Sequence, residues 1–134
     1  MTLSLSHGHI YTDDPDASLA FYRDTLGLEV KNEVVNDGFR WITLSTADQP
    51  EIAIVLSQPH AGRSQELGDQ IAALLAKGEL PGLWFRADDL DAAFEKIRAA
   101  GTAEILQEPT SQPWGARDAA FRDPAGNMVR VSQA

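Results

Sequence analysis

At 134 residues, 43% hydrophobic and 23% charged, the chain suits one globular domain with a core large enough to stand without staples. Eleven Lys and Arg against 20 Asp and Glu give a net charge of -9, which repels phosphate backbones and anionic bilayers and argues against nucleic acid and membrane as partners. The absence of cysteine excludes a disulfide framework, a thiolate nucleophile and a sulfur-based zinc site.

Met1 to Leu5 has no basic residue ahead of an apolar run, so it reads as neither a signal nor a transit peptide, and a cytoplasmic location is expected. A strand is predicted from His7 to Thr12. Asp14 then caps a helix with Pro15 at its first position, Asp16 near the positive end of the dipole and Gly27 as its stop. Leu19, Tyr22 and Leu26 fall on one stripe of that helix. Extended segments follow at Leu28 to Val35, Phe39 to Ser45 and Glu51 to Leu56. Ser57 to Leu80 reads as a polar connector in which Leu67, Ile71 and Leu74 allow one amphipathic helix and His60 is solvated; no function is assigned to it. Its Ile71 to Ala76 run is the longest apolar stretch, far short of the ~20 residues that cross a bilayer.

The second half repeats the order. A strand runs from Leu83 to Ala87, and Asp88 or Asp89 caps a helix with the stripe Leu90, Phe94 and Ile97 and the stop Gly101. Strands follow near Ala103 to Leu106, at Ala116 to Arg122 and at Met128 to Val131, the last two joined by a tight Asp123-Pro124-Ala125-Gly126-Asn127 hairpin. A shift of 75 positions lays Asp13-Asp14-Pro15-Asp16-Ala17 on Asp88-Asp89-Leu90-Asp91-Ala92 and Arg23 on Arg98, five identities in eleven positions. The chain is therefore read as α+β, two βαβββ modules at 5–56 and 81–132 around a connector at 57–80.

The paired module, Phe21-Tyr22 followed by Leu26-Gly27-Leu28, and the closing Phe121-Arg122-Asp123-Pro124-Ala125-Gly126-Asn127 resemble the vicinal oxygen chelate superfamily of glyoxalase I, bleomycin-resistance proteins, fosfomycin-resistance enzymes and extradiol dioxygenases. The resemblance covers His7 to Val131 and implies a cupped mixed sheet covered by helices, a ligand on its concave face and, in many members, a dimer that shares the cup. In the enzymes it also implies a divalent metal, with one ligand from the first and last strand of each module.

Period-2 alternation assigns side chains to the cup: His7, His9 and Tyr11 on the first strand, Trp41 on the third, Trp84 and Arg86 on the fifth, Arg122 on the seventh and Met128 and Arg130 on the last. His7, His9, Tyr11, Trp41, Trp84, Arg86, Arg122 and Arg130 are the candidate ligand-binding residues. Unpaired arginines would select an anionic or carbonyl-rich ligand, whereas Asp118 or Asp123 offers them a purely structural pairing. By the resemblance, the four metal-ligand positions are His7, Gly82, Val55 and Arg130, of which only His7 is a donor, so no metal and no cofactor is expected. A substitute cluster of His7, His9 and Glu51 is the alternative.

These readings favour a homodimer that binds or sequesters a small organic ligand by stacking and arginine contacts, of the bleomycin-resistance type, with no catalytic residue assigned. One competing reading is a metal-dependent glyoxalase-type (lactoylglutathione-lyase-like) lyase or dioxygenase. Another is a metal-free enzyme using His7 or His9 as base beside Arg130.

Overall fold

A computed structural model describes all 134 residues. The first module consists of β1 (His7–Tyr11), α1 (Pro15–Leu19), β2 (Glu29–Asn36), β3 (Phe39–Ser45) and β4 (Ala53–Ser57). The second consists of β5 (Leu83–Ala87), α3 (Leu90–Ala100), β6 (Glu104–Ser111), β7 (Arg117–Arg122) and β8 (Met128–Gln133), and α2 (Gln65–Ala76) lies between them. Each module forms its own four-stranded mixed sheet, ordered β1-β4-β3-β2 and β5-β8-β7-β6, with no strand pair joining the two. In both, the first strand runs parallel to the last, and the 75-residue repeat holds in register: Gly8 pairs with Ile54, and Leu83 with Val129.

The helix signals operate as their chemistry requires. Asp14 and Asp89 accept from the backbone N–H groups of Ala17 and Ala92, Ser64 does the same for Leu67 in α2, and Gly101 ends α3 at φ 67°. Asp37 and Gly38, both at positive φ, close the β2–β3 hairpin as a two-residue turn. The predicted first helix differs in one respect: beyond Leu19 it widens into a π-helical stretch, Ala20–Thr25, in which the Leu26 N–H reaches the Phe21 carbonyl. That extra residue per turn carries both Phe21 and Tyr22 into the core, edge to face at 4.8 Å and fully buried.

One core spans both modules, with Ile10, Ile42, Leu44 and Leu56 of the first sheet and Phe94, Phe121, Val129 and Val131 of the second among its members. The two recognition motifs of the sequence meet inside it. Tyr22 donates to Asp123 at 2.6 Å; the other Asp123 oxygen accepts the N–H groups of Ala125, Gly126 and Asn127. Asn127 in turn donates to Asp123 and to the Tyr11 carbonyl of β1. Burial, and then the adjacent Asp123 carboxylate, raise the Tyr22 phenol well above its usual pKa, so it stays a donor. The motifs are thus a staple between modules.

Two local expectations are corrected. Glu51 lies in the turn before β4 and not on the strand, because the chain bends where Ile52 N–H meets the Gln49 carbonyl. His60 is only partly solvated: its ring packs on Gly68, where any side chain would collide with it, and its Nε2 lies 2.8 Å from Asp69. No helix is long and apolar enough to cross a membrane.

Candidate functional site

The face of the second sheet turned away from the core is laid out in rows by its register. Trp84, Arg130, Ala120 and Gln107 stand side by side on four neighbouring strands, and Arg86, Ser132, Asp118 and Thr110 form the next row. Met128, Arg122 and Glu104 form a third. Val129 and Val131 are buried on the opposite face, as the alternation requires. Neighbouring strands lie about 4.8 Å apart, so Trp84 and Arg130 are in direct reach of one ligand.

Their surroundings differ. Trp84 is 64% exposed. Arg130 is half-buried, and its Nη1 donates to Asp118 Oδ2 at 3.0 Å. Asp118 is itself buried and also accepts from Gln112 Nε2 at 2.8 Å and Gln107 Nε2 at 3.2 Å. Burial pushes the Asp118 carboxyl up, but Gln112, Gln107 and Arg130 together outweigh it and hold the carboxyl below its ordinary value. The result is a guanidinium fixed on one edge, with its charge compensated, and open on the other. Arg122, one row away, donates to the Gly126 carbonyl and lies 3.8 Å from Glu104, packed against Gly78. Arg86 forms no ion pair and no side-chain hydrogen bond.

The first sheet carries the remaining candidates on its own outer face. His7 and His9 meet edge to face at 5.2 Å, Tyr11 follows on the same side, and Val55 and Thr43 are the neighbours of His9 on β4 and β3. Trp41 is half-buried opposite Val34. Arg63 of the connector stacks 5.0 Å over the Tyr11 ring and donates to its hydroxyl at 2.9 Å. Within one chain these residues make no hydrogen bond, ion pair or ring contact with Trp84, Arg86, Arg122 or Arg130. The candidates therefore form two groups, one per sheet. Sequence reasoning missed two partners of Asp118, Gln107 at the register shifts of β6 that no period-2 pattern records and Gln112 just past the end of that strand, and Arg63, which had no signal at all.

The pattern described as the Glyoxalase/Bleomycin resistance protein/Dioxygenase superfamily matches residues 4–131. The chain belongs to this superfamily. Among solved structures of similar fold, UcmS2 is 32% identical with a TM-score of 0.87, each chain covered over 100% of its length. TnmS3, an antibiotic binding protein from Streptomyces sp. CB03234, is 24% identical with a TM-score of 0.74, over 99% of this chain and 98% of its own. The uncharacterized protein YurT of Bacillus subtilis (strain 168) is 27% identical over 124 residues, 92% of this chain and 94% of its own.

Of the four positions that hold the divalent metal in enzymes of the superfamily, only His7 carries a donor in this chain. Gly82 cannot carry a ligand, because a Cβ there would collide with the Met128 carbonyl. Val55 is aliphatic, and Arg130 places a guanidinium, already tied to Asp118, at the fourth position. The substitute set of His7, His9 and Glu51 does not assemble either: no three His, Asp or Glu side chains come together anywhere in the chain.

Proposed function

We propose that this superfamily member is a small-molecule-binding protein that holds an aromatic, oxygen-bearing organic ligand on the outer face of its second sheet. The observation that carries this reading is the direct cross-strand pairing of exposed Trp84 with Arg130, whose guanidinium is fixed by buried Asp118. Trp84 offers a ring face for stacking, and the free edge of Arg130 donates to an oxygen at a set distance from that ring. Because Asp118 compensates Arg130, this donor suits a carbonyl as well as an anion; Arg86 in the next row adds net positive charge. Arg122, turned toward Gly126 and Glu104, shapes the wall. TnmS3, described as an antibiotic binding protein, shares this fold, so the fold can serve small-molecule binding.

The working unit in this reading is a homodimer. The single chain exposes 7797 Å², where a compact 14.6 kDa monomer exposes about 6,900 Å². β1, which carries His7, His9 and Tyr11, and β5, which carries Trp84 and Arg86, are each paired on one side only. A second copy that brings the His7, His9, Tyr11 and Trp41 face of one chain against the Trp84 and Arg130 face of the other would enclose one ligand between them.

The test is a thermal-shift screen of metabolites and antibiotics followed by calorimetric titration of any hit. Trp84→Ala and Arg130→Ala are each expected to weaken binding by ~1–3 kcal/mol while the fold is kept. Unchanged affinity in both variants would move the site off this face.

A further inference from the structure

We propose a second binding site, in the crevice between the modules, for a small molecule with an apolar body and one anionic head. A cavity of about 620 Å³ lies between the core-facing side of the first sheet and the free edge of β5. Gly8, Leu28, Leu44 and Ile54 wall it on one side, Leu83 and Phe85 on the other. Its size falls in the range of about 300–1,000 Å³ typical of small-molecule sites. It lies on the opposite side of the first sheet from His7, His9 and Tyr11, and it meets the Trp84 and Arg130 face only at its rim, through Trp84 and Arg86.

The internal repeat explains why the cavity exists. Gly8 and Leu83 occupy equivalent places on the parallel strand pairs of the two modules, opposite Ile54 and Val129. The second module fills this place with a leucine; the first leaves it bare, and a Cβ added to Gly8 would meet no atom within 4 Å. A glycine inside a strand weakens the strand and ordinarily marks a bulge, a tight bend, or the close approach of another backbone or a ligand. The β1 register is unbroken and no backbone comes near the missing side chain. Within one chain, space for a ligand is the explanation that remains.

The lining gives the ligand's class. Nine of its 15 residues are hydrophobic. At the rim stand Arg86, which has no acidic partner, and Asp48 with Gln49. Arg86 draws one anionic group to the β5 side, and Asp48 repels a second from the far side. Trp84 and Arg86 reach the rim from β5, so a molecule seated here competes with a ligand on the outer face for Arg86.

Titration of the full-length chain with decanoate and with decanol, both below micellar concentration, tests the assignment. Saturable binding of one decanoate per chain is expected. Affinity should fall in steps through Gly8→Ala, Gly8→Val and Gly8→Leu, with a loss of at least about tenfold at leucine. Melting curves identify any variant that fails to fold, in which case the Ala and Val steps decide. Arg86→Gln should weaken decanoate by about tenfold and leave decanol nearly unchanged. No saturable binding by the wild type, or affinity indifferent to the Gly8 series, overturns the site. Equal losses for decanoate and decanol in Arg86→Gln overturn the anionic head. Because the Gly8 series acts on the core side of the first sheet, its failure is distinguishable from failure of the Trp84 and Arg130 reading.

Discussion

Replacing Asp118 with Ala removes a carboxylate that is 4% exposed; Gln107 keeps the residue 118 carbonyl and Gln112 keeps the Gln107 side-chain oxygen as acceptors, but Arg130 loses its one partner. Truncating one member of a buried ion pair costs about 3–5 kcal/mol because the other charge stays behind uncompensated. The Arg130 side chain is 25% exposed, so water takes up part of its charge, which places the expected loss near the lower end, about 3 kcal/mol. A chain of 134 residues unfolds with an entropy of about 0.28 kcal/mol/K, so the melting temperature should drop by about 11 °C. Calorimetry and urea unfolding at pH 7 measure this directly. The double variant Asp118→Ala/Arg130→Met should be more stable than the sum of the single effects by at least about 1 kcal/mol, since the orphaned charge is then gone. The Asp118 carboxyl titrates below its ordinary value in the folded chain. Its contribution is therefore complete above the unfolded pKa, about 3.9, and is lost as pH falls through the lower folded value. The gap between wild type and Asp118→Ala should hold from neutral pH to about pH 5 and close at more acid pH. A variant that melts within about 3 °C of wild type, or strict additivity in the double variant, would refute the view that Asp118 fixes Arg130.

Tyr22→Phe should cost about 1–3 kcal/mol in urea unfolding, because it removes a buried donor from Asp123 without relieving the burial of the carboxylate. Gly82→Ala should destabilise the fold by about 1–3 kcal/mol in urea unfolding through its collision with the Met128 carbonyl; a neutral effect would mean that β5 and β8 separate more readily than their pairing implies. Sedimentation at micromolar concentration should give twice the 14.6 kDa chain mass, and a monomer would count against the shared-ligand arrangement.

Local chemistry and periodicity in the sequence were enough to establish the two βαβββ modules, the Asp caps, the glycine stops and the alternation that sends Trp84 and Arg130 to one face and Val129 and Val131 to the other. Each depends on residues a few positions apart, whose preferences survive any tertiary context consistent with the pattern. The 75-residue repeat even carried the strand register from one module to the other. Tertiary structure decided what each charge is tied to. Asp118 collects Arg130, Gln107 and Gln112 across three strands, Arg122 turns to Gly126, and Arg63 comes from the connector to cover Tyr11. The Asp123 and Tyr22 partnership joins residues 101 positions apart, and the π-helical turn that delivers Tyr22 has no local signature. Hydrogen-bond partners and empty volume depend on which surfaces the packed core brings together, so neither the pairing of Arg130 nor the bare space over Gly8 is written in any single stretch of the chain.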